Sequence, residues 1–136
     1  MGRILLMIFS LAVYSAPYTS QASHSAYQFA VALLNQGHSL HRVFFYQDGV
    51  HNATNVAAPP QDEFNLHNAW QQLAKDYQLD LVVCIAAALR RGILNETEAK
   101  RYNKTSHNCA EEFTISGLGQ LVEAATVSDR LISFGY

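Results

Sequence analysis

The chain has 136 residues, 49% of them hydrophobic and 15% charged, two cysteines and a formal net charge of −2 at pH 7. That length fits a single domain, residues 1–136, with a core of its own, and no low-complexity run or disordered tail interrupts it. The near-neutral balance argues against direct nucleic-acid binding, which needs a basic face, and two cysteines are too few for a disulfide framework.

Met1-Gly2-Arg3, the apolar run Ile4 to Tyr14, and Ser15-Ala16 have the outline of a secretory signal. Asn52, Asn95 and Asn103 each open an Asn-x-Thr sequon, which would suit a secreted glycoprotein. The same run suits the first strand of a parallel sheet, covered on both faces, and is shorter than the ~20 apolar residues that span a bilayer. We read a strand from Arg3 to about Ala12, sequons arising by chance, and a cytoplasmic chain that makes no use of a membrane.

Ser20 or Ser23 then caps a helix through Asn35, with Ala26, Phe29, Ala30 and Leu33 on one face and Gly37 as its stop. His41 to Tyr46 is a second strand, broken at Asp48-Gly49. Past Pro59-Pro60, Asp62 is a plausible cap for a helix carrying Trp70, Leu73 and Tyr77 on one side. Leu79 to Val83 is short, apolar and β-branched, a buried strand, and Ile85 to Arg91 follows at once with helix formers and Gly92 at the C-cap. Asn95-Glu96-Thr97-Glu98 starts a short helix, and Asn103 to Glu112 reads as an exposed loop. Phe113-Thr114-Ile115 is a brief strand. Ser116 caps a helix with Leu118, Leu121, Val122 and Ala125, and Arg130 to Phe134 closes the sheet.

Five strands alternating with helices predict a three-layer α/β fold with a parallel sheet and right-handed crossovers. For this length we expect the flavodoxin-like order 2-1-3-4-5. The chain would then reverse between strands 1 and 3, and ligands bind outside the carboxyl ends at such a point. Cys84, ending strand 3, and Tyr14 to Tyr18, following strand 1, would face that crevice. A thiol at a helix N-terminus meets free N–H groups that favour a thiolate or persulfide anion. The plainer alternative is a free cysteine packed as a small hydrophobe.

The remaining motifs are weaker. Gly117-Leu118-Gly119 has Val122 where a dinucleotide fingerprint needs glycine, so it reads as a helix cap. His38, His41 and His107-x-Cys109 lack the spaced second pair of a structural zinc site, so no metal is expected. No serine has a nucleophile-elbow context. Arg90 and Arg91 are either a solvated helix end or a positive rim for an anionic carrier.

Val83-Cys84-Ile85-Ala86-Ala87-Ala88-Leu89-Arg90-Arg91-Gly92 resembles the active-cysteine segment of the TusD/DsrE sulfurtransferases. Pro17-Tyr18, Gln21-Ala22-Ser23 and Ser25 to Ala30 resemble the family's first loop and helix. Val43 to Tyr46 with Asp48-Gly49-Val50, Ala69 to Leu73, and Ser116 to Gly119 with Glu123-Ala124 are similar too, in the same order. The resemblance implies a cysteine persulfide on Cys84 and no cofactor, and our reading of the residues adds Arg90, Arg91 and Tyr18 as a carrier-docking rim. It implies two sister subunits, TusB/DsrH-like and TusC/DsrF-like, in a heterohexamer with two copies of each. A TusA-like donor would supply sulfur and a TusE/DsrC-like acceptor would remove it, serving 2-thiolation of the tRNA wobble uridine or dissimilatory sulfur oxidation. A non-catalytic binding or structural subunit with an inert Cys84 is the alternative. Cys109 matches no family motif, and a resolving role for it has no support.

Overall fold

The segments that are mostly buried form the centre of the sheet and the more exposed ones its edges. The computed structural model describes residues 5–135. The strands are β1 (Ile8–Val13), β2 (Ser39–Phe45), β3 (Leu81–Cys84), β4 (Phe113–Ser116) and β5 (Arg130–Phe134). The helices are α1 (Ala22–Asn35), α2 (Leu66–Tyr77), α3 (Ile85–Arg90), α4 (Glu96–Arg101) and α5 (Gly119–Val127), with a 3-10 turn at Gln47–Ala53. Every strand pair is parallel, as expected for strands joined by helical crossovers.

The strand order is β4-β3-β2-β1-β5, not 2-1-3-4-5. Three successive crossovers step in one direction, and only the last returns, to the free edge of β1. A uniform crossover hand fixes on which face each helix lies but not on which edge the next strand docks. The chain therefore turns back between β1 and β5, and β2 separates β1 from β3. The crevice expected between strands 1 and 3 does not exist.

The direction of each step sets the layers. α1 and α2 pack together on one face, where Phe29 meets Phe9 and Trp70 meets Phe45 edge-on at 5.3 Å. α5 covers the other face, against β1, β2 and β5. Arg42 on β2, 9% exposed, is aimed at α5. Its Nε donates to Asp80 at 2.8 Å, and its Nη1 donates to Glu123 at 2.6 Å and to the Gln120 carbonyl at 2.9 Å. A bulge leaves His41 unpaired opposite Phe9 and Ser10, so its ring turns to the same side and donates to Glu123 at 2.8 Å.

Several boundaries move for local reasons. β1 begins at Ile8, with Leu5 and Leu6 exposed before it, and the part of the expected strand at Arg3 and Ile4 lies outside the described residues. Asn65, not Asp62, caps α2 by accepting from the Asn68 N–H, and Tyr77 ends on the outer side. Gln21 and Leu118, which precede α1 and α5, make no side-chain cap, but Ser20 Oγ accepts from the Ala22 N–H at 3.3 Å at the start of α1, as expected of Ser20. Residues 103–107 are exposed, as expected of a loop, but 108–110 are tied down. Thr54 bridges Cys109, and the Asn108 and Cys109 N–H groups both donate to the Leu94 carbonyl at 2.9 Å. Among the described residues no helix is long and apolar enough to cross a membrane.

Candidate active site

Cys84 is the last residue of β3 and the N-cap of α3. The strand is buried at all four positions, paired with β2 up to Val83 and with β4 through Cys84 itself. Helix formers then turn the chain at once into α3, which ends at Arg90 and is followed by Gly92, whose φ of +75° an L side chain rarely adopts. The α3 helix has only six residues and so no long dipole, and Cys84 makes no side-chain hydrogen bond to the N–H groups of its first turn, so the N–H contacts expected for the thiol are not formed. Cys84 is 4% exposed, so the sulfur is sheltered more closely than an open crevice would allow. Its register partner on β4 is Ser116, after which Gly117, Leu118 and Gly119 are all exposed.

The other expected site residues divide. Arg91 folds back along α3, its Nη1 donating to the Ala87 carbonyl at 3.1 Å and its Nε to Asp48 at 2.7 Å. It pins the 3-10 turn to α3. Tyr18 lies in the left-handed region at φ +70°, its hydroxyl donating to the Phe64 carbonyl at 3.0 Å and accepting from the Leu66 N–H at 3.1 Å. Tyr18 and Asp48 line one depression with His51 and His67, so Arg91 reaches this depression through Asp48. Arg90 instead points to solvent at the far end of α3, where it rims a separate groove.

A buried polar network beneath the depression gave no sequence signal except an Asn-x-Thr triplet. Asn52 is fully buried, which no glycosylated asparagine could be. Its amide donates to Ser23 Oγ at 3.0 Å and to the Gly49 carbonyl at 2.9 Å, and its oxygen accepts from the Trp70 indole at 3.2 Å. Ser23 passes the chain on to the Ser15 carbonyl, and His67 Nδ1 donates to the Asn52 carbonyl at 3.1 Å. Burial holds the His67 pKa below its ordinary value, so the ring is neutral and structural.

Cys109 is buried, its S–H aimed at the Ala110 carbonyl, and burial pushes its pKa up to about 11. His38 accepts from the Met7 N–H, and His41 is paired with Glu123. Among the described residues no group of three or more His, Cys, Asp or Glu could hold a metal ion.

A five-stranded parallel α/β sheet that ends a central strand in a sheltered cysteine, with an exposed loop at its flank, defines a thiol site carried on a doubly covered α/β fold. The profile of the DsrE/DsrF-like family matches residues 7–134, and the chain belongs to that family. It is 56% identical over 129 residues to DsrE of Allochromatium vinosum, covering 95% of this chain and 99% of that one, which is named provisionally as a sulfurtransferase. The "Sulfurtransferase TusD homolog" of Vibrio parahaemolyticus is 50% identical over 128 residues, covering 94% and 98%. Among solved structures, the ychN protein from E. coli superposes with a TM-score of 0.71 at 19% identity, over 96% of this chain and all of that one, which supports the fold.

Proposed function

We propose that the chain is the persulfide-carrying sulfurtransferase subunit of a sulfur relay, with Cys84 as the catalytic residue. The observation that carries this is the position of Cys84 at the end of a buried strand beside an exposed loop, in a family whose near relatives are named as sulfurtransferases over almost their whole length. In loading, the Cys84 thiolate attacks the outer sulfur of a persulfide on a TusA-like donor. A new Sγ–S bond forms, the donor's S–S bond breaks, and the donor leaves as a thiolate. In discharge, the thiolate of a TusE/DsrC-like acceptor attacks the outer sulfur held on Cys84, and the Cys84 thiolate leaves with the electron pair of the broken bond. The outer sulfur keeps its proton throughout, so the cycle needs neither oxidant nor cofactor.

The destination we favour is 2-thiolation of the tRNA wobble uridine. The higher identity to DsrE than to the TusD homologue supports dissimilatory sulfur oxidation as a second reading. Sulfite-reductase genes beside this one would select the second. The sister subunits find support at the start of α5, where Leu118 and Val122, one turn apart, expose apolar side chains suited to a partner.

Incubation with a persulfide donor followed by mass spectrometry tests the assignment. The wild-type chain gains one sulfur and Cys84→Ser gains none. Equal loading of the Ser variant would refute it.

A further inference from the structure

Five of the nine Lys and Arg residues fall between positions 90 and 104. Three of them are occupied: Arg91 with Asp48, Lys100 with Glu96, and Arg101 with Glu98. Among the described residues Arg90 and Lys104 make no ion pair, and both are exposed. They rim one groove of about 520 Å³ between the end of α3 and the α4–β4 connection, floored by Leu89, Leu94 and Tyr102, the last 51% exposed. The groove runs on past Gly92, Leu94 and Lys104 to Val56, which is 68% exposed. An apolar floor beneath two uncompensated cations, on a chain of net charge −2, is complementary to a segment carrying apolar side chains flanked by carboxylates.

The groove is joined to the thiol by a short rigid path. α3 begins beside Cys84 and ends at the groove, and six residues at 1.5 Å each span only about 9 Å. Its exposed positions, Ala86 and Arg90, are one turn apart and so share a face that leads from the sulfur to the rim.

We propose that this groove docks an acidic–apolar segment of the sulfur-accepting carrier protein, holding it one short helix away from the Cys84 persulfide. This rests on the sulfurtransferase reading above. The acceptor is favoured over the donor because it must arrive as an attacking thiolate, and a cationic rim raises the local concentration of an incoming anion. A protein segment is favoured over RNA because two free cations above an apolar floor fall short of the basic stripe that a phosphate backbone requires.

The test compares discharge of the Cys84 persulfide in the full-length chain to a TusE/DsrC-like carrier from the same genome and to dithiothreitol. Arg90→Glu and Lys104→Glu, on separate elements, should each lower the carrier rate relative to the dithiothreitol rate by about tenfold, less at high salt. Arg130→Glu, on β5, makes the same charge change outside the groove and should leave that ratio at the wild-type value. An unchanged ratio in both groove variants overturns the proposal, as does an equal fall in all three. Carrier affinity for the unloaded chain, measured by calorimetry, separates the two readings. If Cys84 never loads but the groove variants still weaken carrier binding, docking stands and sulfur transfer falls. Binding of a short RNA that is lost in the groove variants, with carrier binding intact, would assign the groove to nucleic acid and overturn the proposal.

Discussion

Burial acts on the Cys109 thiol with little to oppose it, and a pKa of about 11 leaves roughly one part in a thousand as thiolate near pH 8. Cys109 should therefore resist iodoacetamide in the folded chain and react only on unfolding, while Cys109→Ser keeps the capacity to load sulfur. Rapid alkylation of Cys109 in the native protein would show that the Leu94–Cys109 clasp opens. The local sequence separated these two cysteines only in part. The strand–helix junction at Cys84 was legible because β-branched residues, helix formers and Gly92 follow one another without a break. The burial of Cys109 was not, because it depends on a hydrogen bond to Leu94 and on a bridge opposite Thr54, made by Ala110 N–H to Ala53 and Asn55 N–H to Asn108, partners away in sequence and in a stretch that reads as polar.

The 3-10 turn Gln47–Ala53 is the element that organises the site's surroundings, and sequence showed it only as a break at Asp48-Gly49. It packs against α3, β3 and α2, and Arg91 anchors it through Asp48. Gly49 lies so close to β1 that a Cβ there would collide with the Val13 carbonyl, a backbone atom that cannot turn aside. Gly49→Ala should cost about 2–4 kcal/mol, as overpacking against backbone does at the upper end of such substitutions. Chemical denaturation would measure it, and a loss near zero would mean that the turn shifts freely. Trp70 and Leu73 were legible as core from helical spacing, whereas the cap at Asn65 was not, since Asp62 offers an equally good side chain three residues earlier.

At the scale of the whole molecule, periodicity gave the five strands and their parallel alternation with helices. It could not give the order, because β5 reaches the β1 edge by a choice of side that local patterns do not encode. That choice leaves one face to α5 alone, held by Arg42. Burial opposes the Arg42 charge, but hydrogen bonds to Asp80 and Glu123 outweigh it and keep the group firmly protonated. His41, then Arg42, lowers the Glu123 pKa below the usual 4.5, so this face is intact above that pH and loosens as acid protonates Glu123 through its folded value. His67, with a folded pKa below 6.5, is protonated more readily in the unfolded chain, so stability declines as pH falls below about 6.5. Thermal unfolding should show that decline, and His67→Gln, less stable at neutral pH, should show a shallower one. Identical slopes in the two proteins would remove His67 as the cause.

The central claim is that sulfur rides on Cys84. Peptide mapping by mass spectrometry, first after a persulfide donor and then after addition of a TusE/DsrC-like acceptor, tests it most directly. We predict one added sulfur on the peptide containing Cys84, none on that containing Cys109, and loss of the added sulfur once the acceptor is present. Sulfur on Cys109, or a Cys84 that stays unmodified while the donor is consumed, would contradict the account.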